Sequence, residues 1–144
     1  MGRVVIKQLI LILITLISLQ AKEYGNITIN EVTSIYDGDT FRVNIKGYPS
    51  IVGERVPIRI NGVDTPEMRG KCVKEKTLAR EAKQFTVSKL RDAKVIELRH
   101  MQRGKYFRIV ADVYVDGNSL GDALINNHLA VTYDGGTKTK DWCK

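Results

Sequence analysis

Five segments with strand-like alternation and two with helical periodicity predict an α+β, mainly β domain. The expected architecture is a five-stranded antiparallel barrel of the OB type, with one long and one short helix. The chain has 144 residues, enough for one domain with a core but too few for two. Its sequence contains no repeat, linker or low-complexity tract that would indicate another organisation.

The first three strand segments come before the long helix. They read NITINEVTSIY (26–36), TFRVNI (40–45) and RVPIRI (55–60), and the turn DGD (37–39) separates the first two. In the third segment Val56, Ile58 and Ile60 fall on one face and Arg59 on the other. Such alternation is typical of a strand with one buried face.

The long helix is predicted in KEKTLAREAKQFTVSKLRDA (74–93). Its apolar residues Leu78, Ala82, Phe85 and Leu90 recur near the spacing of one helix face. We therefore expect these four side chains to pack on the barrel.

Two further strands are predicted in KVIELRH (94–100) and YFRIVADVYV (106–115). In the second of these, alternate residues form one apolar face: Phe107, Ile109, Ala111, Val113 and Val115. The pair Asp116-Gly117 indicates a hairpin turn after this strand. Ser119 and Asp122 can then cap the short helix LGDALINNH (120–128).

The first 21 residues, MGRVVIKQLILILITLISLQA, are predicted to be an export signal. Arg3 and Lys7 precede an apolar run of 11 residues, Leu9–Leu19, which only a threonine and a serine interrupt. A membrane-spanning helix needs about 20 apolar residues, so this run is typical of a signal peptide. Cleavage after Ala21 would leave 22–144 as the mature domain, periplasmic or secreted. The alternative is an uncleaved inner-membrane anchor.

The net charge indicates a polyanionic partner. Lys and Arg number 23 against 16 Asp and Glu, which gives +7, and removing the two cations of the signal leaves 21 − 16 = +5. A small basic domain is attracted to nucleic acid or to an anionic membrane, and the charge alone does not choose between them.

Cys72 and Cys143 are the only cysteines. An exported protein meets an oxidising environment, so we expect a disulfide between them. A zinc site built from both cysteines with His100 and His128 is disfavoured, because the spacing matches no zinc-binding motif.

Carboxylates and arginines are expected to meet at one rim of the barrel. Asp39 begins the second strand, Asp64 and Glu67 follow the third, and Arg59 and Arg108 point away from the apolar faces of their strands. The glycine of the DGD turn is expected to turn the backbone sharply and bring its two aspartates together. Carboxylates hold a hard cation and handle water, and arginines stabilise charge on a phosphoryl group. The set therefore suggests phosphodiester hydrolysis.

Four motifs, in order, closely resemble segments of the thermonuclease (staphylococcal nuclease-like) family: IYDGDTFRV, IRINGVDTPE, RGKYFRIVADVYVDG and LINNHLAVTYDGG. The resemblance runs from about Thr28 to Tyr133. It implies an OB-fold barrel and a monomeric, calcium-dependent, sugar-nonspecific endonuclease. Such an enzyme cuts DNA and RNA at the P–O5′ bond and leaves 3′-phosphates.

The resemblance also implies roles for individual residues. Asp39, Asp64 and the backbone carbonyl of Thr65 match the calcium ligands, with Pro66 as a rigid bend before Glu67. Glu67 matches the general base or water-orienting group. Arg59 and Arg108 match the two arginines that act on the phosphoryl group.

The resemblance is less complete for the residues that bind the substrate. Lys105 and Tyr106 match the lysine and tyrosine that hold a terminal phosphate, and Tyr133 matches one of two stacking tyrosines, with a one-residue gap in its placement. Where the family has glycine in K-Y-G-R, this chain has Phe107, taken to be a strand residue without effect on Arg108.

Two other functions remain compatible with parts of the sequence. A non-catalytic OB-fold module would bind nucleic acid through a basic groove, but such copies typically lose the acids that are present here. An envelope adhesin or membrane-surface binder is suggested only by the charge and the signal.

Overall fold

The computed structural model describes residues 22–144, and the predicted export signal lies outside them. The described chain forms nine strands: β1 (Ile27–Ile29), β2 (Glu31–Ile35), β3 (Thr40–Asn44), β4 (Val56–Ile60), β5 (Val63–Asp64), β6 (Ile96–Arg103), β7 (Ile109–Val115), β8 (Asn118–Ser119) and β9 (Val131–Thr132). It also forms helices α1 (Ser50–Gly53), α2 (Val73–Asp92) and α3 (Leu120–Asn126) and a 3-10 turn (Lys105–Phe107). Among these residues no helix has the length and apolarity that a membrane span requires.

A curled, barrel-like sheet confirms the predicted fold class. Its strands follow the order β1-β6-β7-β4-β3-β2, and β8 pairs with β7. The two end strands, β1 and β2, are consecutive in the chain, so the sheet curves back on itself. The expectation of a wholly antiparallel barrel is wrong at one place, because β4 and β7 pair in parallel. A parallel pair needs a long crossover, which α2 and β6 provide.

The first predicted strand, 26–36, is divided at Asn30. β1 pairs with β6, whereas β2 pairs with β3. The chain must bend between these two neighbours to close the sheet, and one continuous strand could not serve both.

The fifth predicted strand begins three residues later than expected, at Ile109. Gly104 and Arg108 instead close a hairpin loop between β6 and β7, with the N–H of Gly104 donating to the Arg108 carbonyl at 2.7 Å. Inside this loop Tyr106 and Phe107 have φ values of 57° and 59°. The inward placement of Phe107 is therefore wrong, since the turn leaves its side chain 86% exposed.

Helix α2 packs on the barrel mainly through small side chains and not through its largest apolar residues. Ala82 and Leu90 are buried as expected, but Ala79 and Thr86 complete the buried face, and Leu78 and Phe85 are only partly buried. The small residues allow a close approach to the turn at residues 37–39, where the Thr86 hydroxyl donates to the Gly38 carbonyl at 2.6 Å.

The hairpin and capping predictions after β7 are confirmed. Asp116 and Gly117 have φ values of 49° and 83°, as a tight primed turn requires. The Ser119 hydroxyl accepts the N–H of Asp122 at 3.1 Å at the start of α3.

One apolar core fills the barrel, and its fully buried side chains include Phe41, Val43, Ile58, Leu98 and Leu124. Four short elements were not predicted: α1, β5, β8 and β9. β5 and β9 pair with each other and lie beside the residues described next.

Candidate active site

The register of β3 and β4 brings Asp39 to Arg59. Thr40 pairs with Arg59, and the N–H of Ile60 donates to the Asp39 carbonyl at 2.9 Å. One terminal nitrogen of Arg59 lies 2.8 Å from Asp39 Oδ1, and the Asp39 side chain is only 2% exposed. A buried carboxylate is stable only when it is paired in this way or bound to a metal.

The pairing of β5 with β9 places Asp64 on the other side of Arg59. Asp64 lies opposite Val131 and is buried. The second terminal nitrogen of Arg59 is 3.7 Å from Asp64 Oδ1 and donates to the Val63 carbonyl at 3.3 Å. Arg59 therefore lies between two buried carboxylates.

Two neighbouring groups hold the Asp39 side chain in place. The Thr40 hydroxyl donates to Oδ1 at 2.9 Å, and the N–H of Thr65 donates to Oδ2 at 3.1 Å. Thr65, which was expected to supply a carbonyl ligand, thus contacts Asp39 through its N–H. These hydrogen bonds fix the orientation of the Asp39 carboxylate.

Asp37 lies beside Asp39, as expected from the DGD turn. Its Oδ1 accepts the N–H of Asp39 at 3.2 Å. Burial first, and then the negative charge of Asp39, together raise the pKa of Asp37 to about 7. The site therefore concentrates negative charge that a cation would offset.

The glycine of this turn is needed for space and not for a left-handed backbone. Gly38 is not among the residues with positive φ, so a left-handed backbone is not the reason for a glycine at this position. A Cβ atom at Gly38 would lie 2.8 Å from Ala82 Cβ and 2.9 Å from Thr65 Cγ2. Gly38 thus allows α2 to pack directly behind the carboxylates.

The carboxylates lie beside an open cleft of about 570 Å³. Five of the predicted site residues line it: Arg59, Glu67, Lys105, Arg108 and Tyr133. Tyr106 is outside this lining and is exposed, with its ring centre 5.9 Å from Arg108 Cζ. The fold therefore brings five of the predicted residues to one cleft, with Tyr106 exposed nearby. Asp39, Asp64 and Thr65 do not line the cleft; they are buried beside it, where both acids contact Arg59.

Arg108, just before β7, and Tyr133, just after β9, both line this cleft. Arg108 Nε is buried and has no hydrogen-bond partner within residues 22–144. The ring centre of Tyr133 is 5.7 Å from Arg59 Cζ, and its hydroxyl donates to the Gly136 carbonyl at 2.6 Å. An unpaired buried guanidinium donor suits an anionic ligand such as a phosphate.

Glu75 organises the loop that carries Glu67, and the sequence interpretation did not include it. One carboxylate oxygen accepts the N–H of Lys71 at 2.8 Å, and the other lies 3.4 Å from the N–H of Glu67. Glu75 stands three residues after Cys72, the N-cap of α2. That capping-box spacing is the signal that could have identified it.

Lys138 is a second residue that the sequence interpretation missed. Its ammonium lies 2.7 Å from Asp64 Oδ1 and 2.5 Å from Glu67 Oε1. Burial by itself would lower the pKa of Lys138, but close contact with the two carboxylates and their negative charges raise it above its usual value. No local motif marks Lys138, because its partners lie some 70 residues earlier in the chain.

Asp39 and Asp64 are the residues best suited to hold a metal. Both are buried and offer only oxygen, which favours a hard cation such as calcium or magnesium. Within residues 22–144 Asp64 Oδ1 is buried and receives no well-aligned hydrogen bond, although two cations lie near it. A buried carboxylate oxygen in that position fits a metal ligand.

Another group of potential ligands does not compete for this role. Atoms of Cys72, Glu75 and Cys143 lie within 4.8 Å of one another. Cys72 and Cys143 are joined as a disulfide, which confirms the predicted pairing. Disulfide sulfurs are not thiolates, so this group lacks the ligands of a cysteine metal site.

Comparisons with known proteins agree with this geometry. A sequence model of the family described as "Staphylococcal nuclease homologue" matches residues 57–142. The chain is 33% identical over 103 residues to a protein of Penicillium rubens named probable endonuclease lcl3, covering 59% of this chain and 35% of that protein. It is 32% identical over 105 residues to a protein of the same name from Aspergillus flavus, covering 60% and 38%.

The chain spans little more than a third of the length of these relatives. The family model covers more than half of this chain and includes most of the candidate site, from Arg59 to Lys138. Together with the barrel and the clustered acids and arginines, this match shows that the chain belongs to the staphylococcal nuclease homologue family.

Proposed function

We propose that the protein is a calcium-dependent nuclease that hydrolyses phosphodiester bonds of DNA and RNA and leaves 3′-phosphates. The observation that carries this proposal is the buried pair Asp39 and Asp64 with Arg59 between them, at the edge of a cleft that Arg108 and Glu67 also line. Membership of a nuclease family and relatives named as endonucleases support the reaction class.

Asp39 and Asp64 would hold the metal, and the carbonyl of Thr65 is proposed as a further ligand. When bound, calcium would offset charge on the phosphoryl oxygens of the substrate. Among divalent ions calcium tolerates irregular oxygen coordination best, whereas magnesium requires a near-ideal octahedron. The donor set is compatible with either ion, and calcium is the proposed one.

The arginines would bind the scissile phosphate and stabilise the charge that grows on it. Arg108 has a buried nitrogen donor without a partner among the described residues, and Arg59 is oriented by Asp39. Donors that are fixed before the reaction stabilise a transition state with little reorganisation. Lys105 and Tyr106 would bind a terminal phosphate at the cleft margin, and Tyr133 would stack on a base.

Glu67 would orient and deprotonate the attacking water. Its side chain is about half exposed, so water can reach it. In this scheme the water oxygen bonds to phosphorus, the carboxylate takes the water proton, and the bond from phosphorus to O5′ breaks. The products are a 3′-phosphate and a 5′-hydroxyl that acquires its proton from solvent.

The test compares steady-state kinetics and thermal melts of the full chain and its variants. Arg59→Lys, Arg108→Lys and Glu67→Gln should each lower kcat by about 10²–10³ while the protein stays folded. Lys105→Ala should mainly weaken binding and flatten its dependence on salt.

Arg99→Lys and Glu97→Gln are matched controls, since these two residues pair with each other on β6 and are not among the residues that line the cleft. Near-normal kcat in the three site variants would refute these roles. Binding of nucleic acid without turnover in any metal would favour the non-catalytic module.

We also propose that the protein acts outside the cytoplasm, in the periplasm or the medium. The disulfide between Cys72 and Cys143 supports this location, because such bonds persist in oxidising compartments. Mass spectrometry of the protein isolated without reductant from cell envelope and medium should show the two cysteines linked and Lys22 as the first residue. Free thiols in that material would contradict the proposal.

A further inference from the structure

The chain that follows β9 returns across the candidate site. It is fixed at one end where the N–H of Tyr133 donates to the Gly62 carbonyl at 2.9 Å. At the other end Cys143 is bonded to Cys72, and the neighbouring Trp142 is 8% exposed. Residues 134–143, here called the C-terminal strap, are therefore tied at both ends beside the cleft.

Lys138 lies in the middle of the strap and contacts two of the acids. Its ammonium is 2.7 Å from Asp64 Oδ1 and 2.5 Å from Glu67 Oε1. Asp64 is the better buried of these acids, with 5% of its side chain exposed against 51% for Glu67. A positive charge from the strap thus reaches a carboxylate that solvent hardly reaches.

The contacted oxygen belongs to one of the two proposed metal ligands. Asp64 Oδ1 is buried, receives no well-aligned hydrogen bond from the part of the chain that the structure describes, and has Arg59 at 3.7 Å on its other side. An ammonium at 2.7 Å occupies space around this oxygen that a directly coordinated cation would need, because calcium binds carboxylate oxygens at about 2.3–2.6 Å. Lys138 and a metal therefore compete for Asp64.

We propose that Lys138 is a tethered counter-ion of the metal site, which holds Asp64 and Glu67 in the metal-free protein and must leave Asp64 before metal binds. This inference rests on the proposed function, since it takes Asp39 and Asp64 as the metal ligands. Lys138 is then a positioning residue that determines the metal concentration at which the site fills. Once released from Asp64, its ammonium can stay with Glu67 and keep that carboxylate beside the cleft.

The inference predicts that removing the ammonium strengthens metal binding. Lys138→Met keeps an unbranched side chain of similar length but carries no charge. An ion pair of this partial exposure stabilises by about 1 kcal/mol, so its loss should raise calcium affinity about three- to tenfold. A purely structural role for Lys138 predicts the opposite, because a loosened site binds metal more weakly.

The experiment is isothermal titration of calcium into the full chain and three variants, beside thermal melts in chelator. Lys138→Met should bind calcium more tightly than the unmodified protein, and Lys138→Arg should remain close to it. Lys140→Met is the matched control: it removes the same charge from the strap, but Lys140 lies near Trp142 and makes no ion pair with the site acids in the described chain. In chelator, Lys138→Met should melt at a lower temperature, because two acids lose their counter-ion.

Releasing the strap gives an independent test. Cys72→Ser combined with Cys143→Ser should raise calcium affinity in the same direction as Lys138→Met and add little to it in the triple variant. Additive effects would show that the strap acts on the site by another route than Lys138, and would overturn the role given to the tether.

The outcomes separate this inference from the proposed function. Equal or weaker calcium binding by Lys138→Met overturns the inference and leaves the metal site intact. Binding by Lys138→Met but not by the unmodified protein supports the inference strongly. Absence of binding by both proteins overturns the inference together with the metal assignment.

Discussion

Replacing Gly38 by alanine tests whether the close packing behind the carboxylates holds the site together. The added Cβ would lie 2.8 Å from Ala82 Cβ and 2.9 Å from Thr65 Cγ2. Carbon atoms in contact normally stand about 3.5–4.0 Å apart. Neither neighbour is the end of a flexible side chain, so α2 or the loop after β5 must move.

The expected loss of stability follows from these contacts. Overpacking in a tight core costs about 1–3 kcal/mol. The buried hydrogen bond from the Thr86 hydroxyl to the Gly38 carbonyl would be stretched by the same movement, which adds about 1 kcal/mol. Alanine also restricts the unfolded chain, which returns about 0.4–1 kcal/mol. We therefore expect Gly38→Ala to lower the free energy of unfolding by about 1–3 kcal/mol.

Urea denaturation of the full chain in chelator measures this quantity. Ala82→Gly provides the internal control, because it removes the nearest atom and by itself should cost about 1 kcal/mol in helix propensity. The double variant should lose at least about 1 kcal/mol less than the sum of the single losses. A Gly38→Ala loss below about 0.5 kcal/mol, or simple additivity, would refute the packing argument.

Three further predictions concern the loops and the disulfide. Phe107→Gly should raise the free energy of unfolding, measured by thermal or urea denaturation, by up to about 1 kcal/mol, because an exposed side chain at φ 59° is replaced by a residue that adopts this backbone freely. Phe107→Ala keeps the Cβ and should not raise it. Equal effects of the two substitutions would contradict the explanation. Reduction of the bond between Cys72 and Cys143, which lie 71 residues apart, should lower the free energy of unfolding by about 4 kcal/mol. Urea denaturation with and without reductant measures this loss, and an unchanged midpoint would count against it. Glu75→Gln should lower kcat clearly while changing the melting temperature little, because it weakens the contacts that position the Glu67 loop. A lower melting temperature with full kcat would show that Glu75 only caps α2.

The strand pattern could be predicted where one face is buried and the other is not. β3 and β4 alternate cleanly, and their register alone puts Asp39 beside Arg59. The parallel pairing of β4 with β7 could not be predicted from alternation, since both strand directions give the same period. Similarly, local sequence does not show that Asn30 divides the first strand, because barrel closure imposes that bend.

The site could be predicted where its residues lie in short motifs, and not where they come from distant parts of the chain. Asp64 and Glu67 follow one strand and were identified together. Lys138 contacts both, but the contact depends on β9 and on the disulfide that returns the strap to α2. The sequence pattern wrongly places Phe107 in the strand because an apolar residue next to a strand fits its alternation, whereas the hairpin loop has left-handed residues there.

The most direct test of the central claim is hydrolysis of DNA and RNA by the full chain in calcium and in chelator, with end-group analysis of the products. Asp64→Asn in the same assay links any activity to the proposed ligand. The account predicts cleavage in calcium that leaves 3′-phosphates, no cleavage in chelator, and a severe loss in Asp64→Asn. Full turnover in chelator, or unchanged activity in Asp64→Asn, would contradict it.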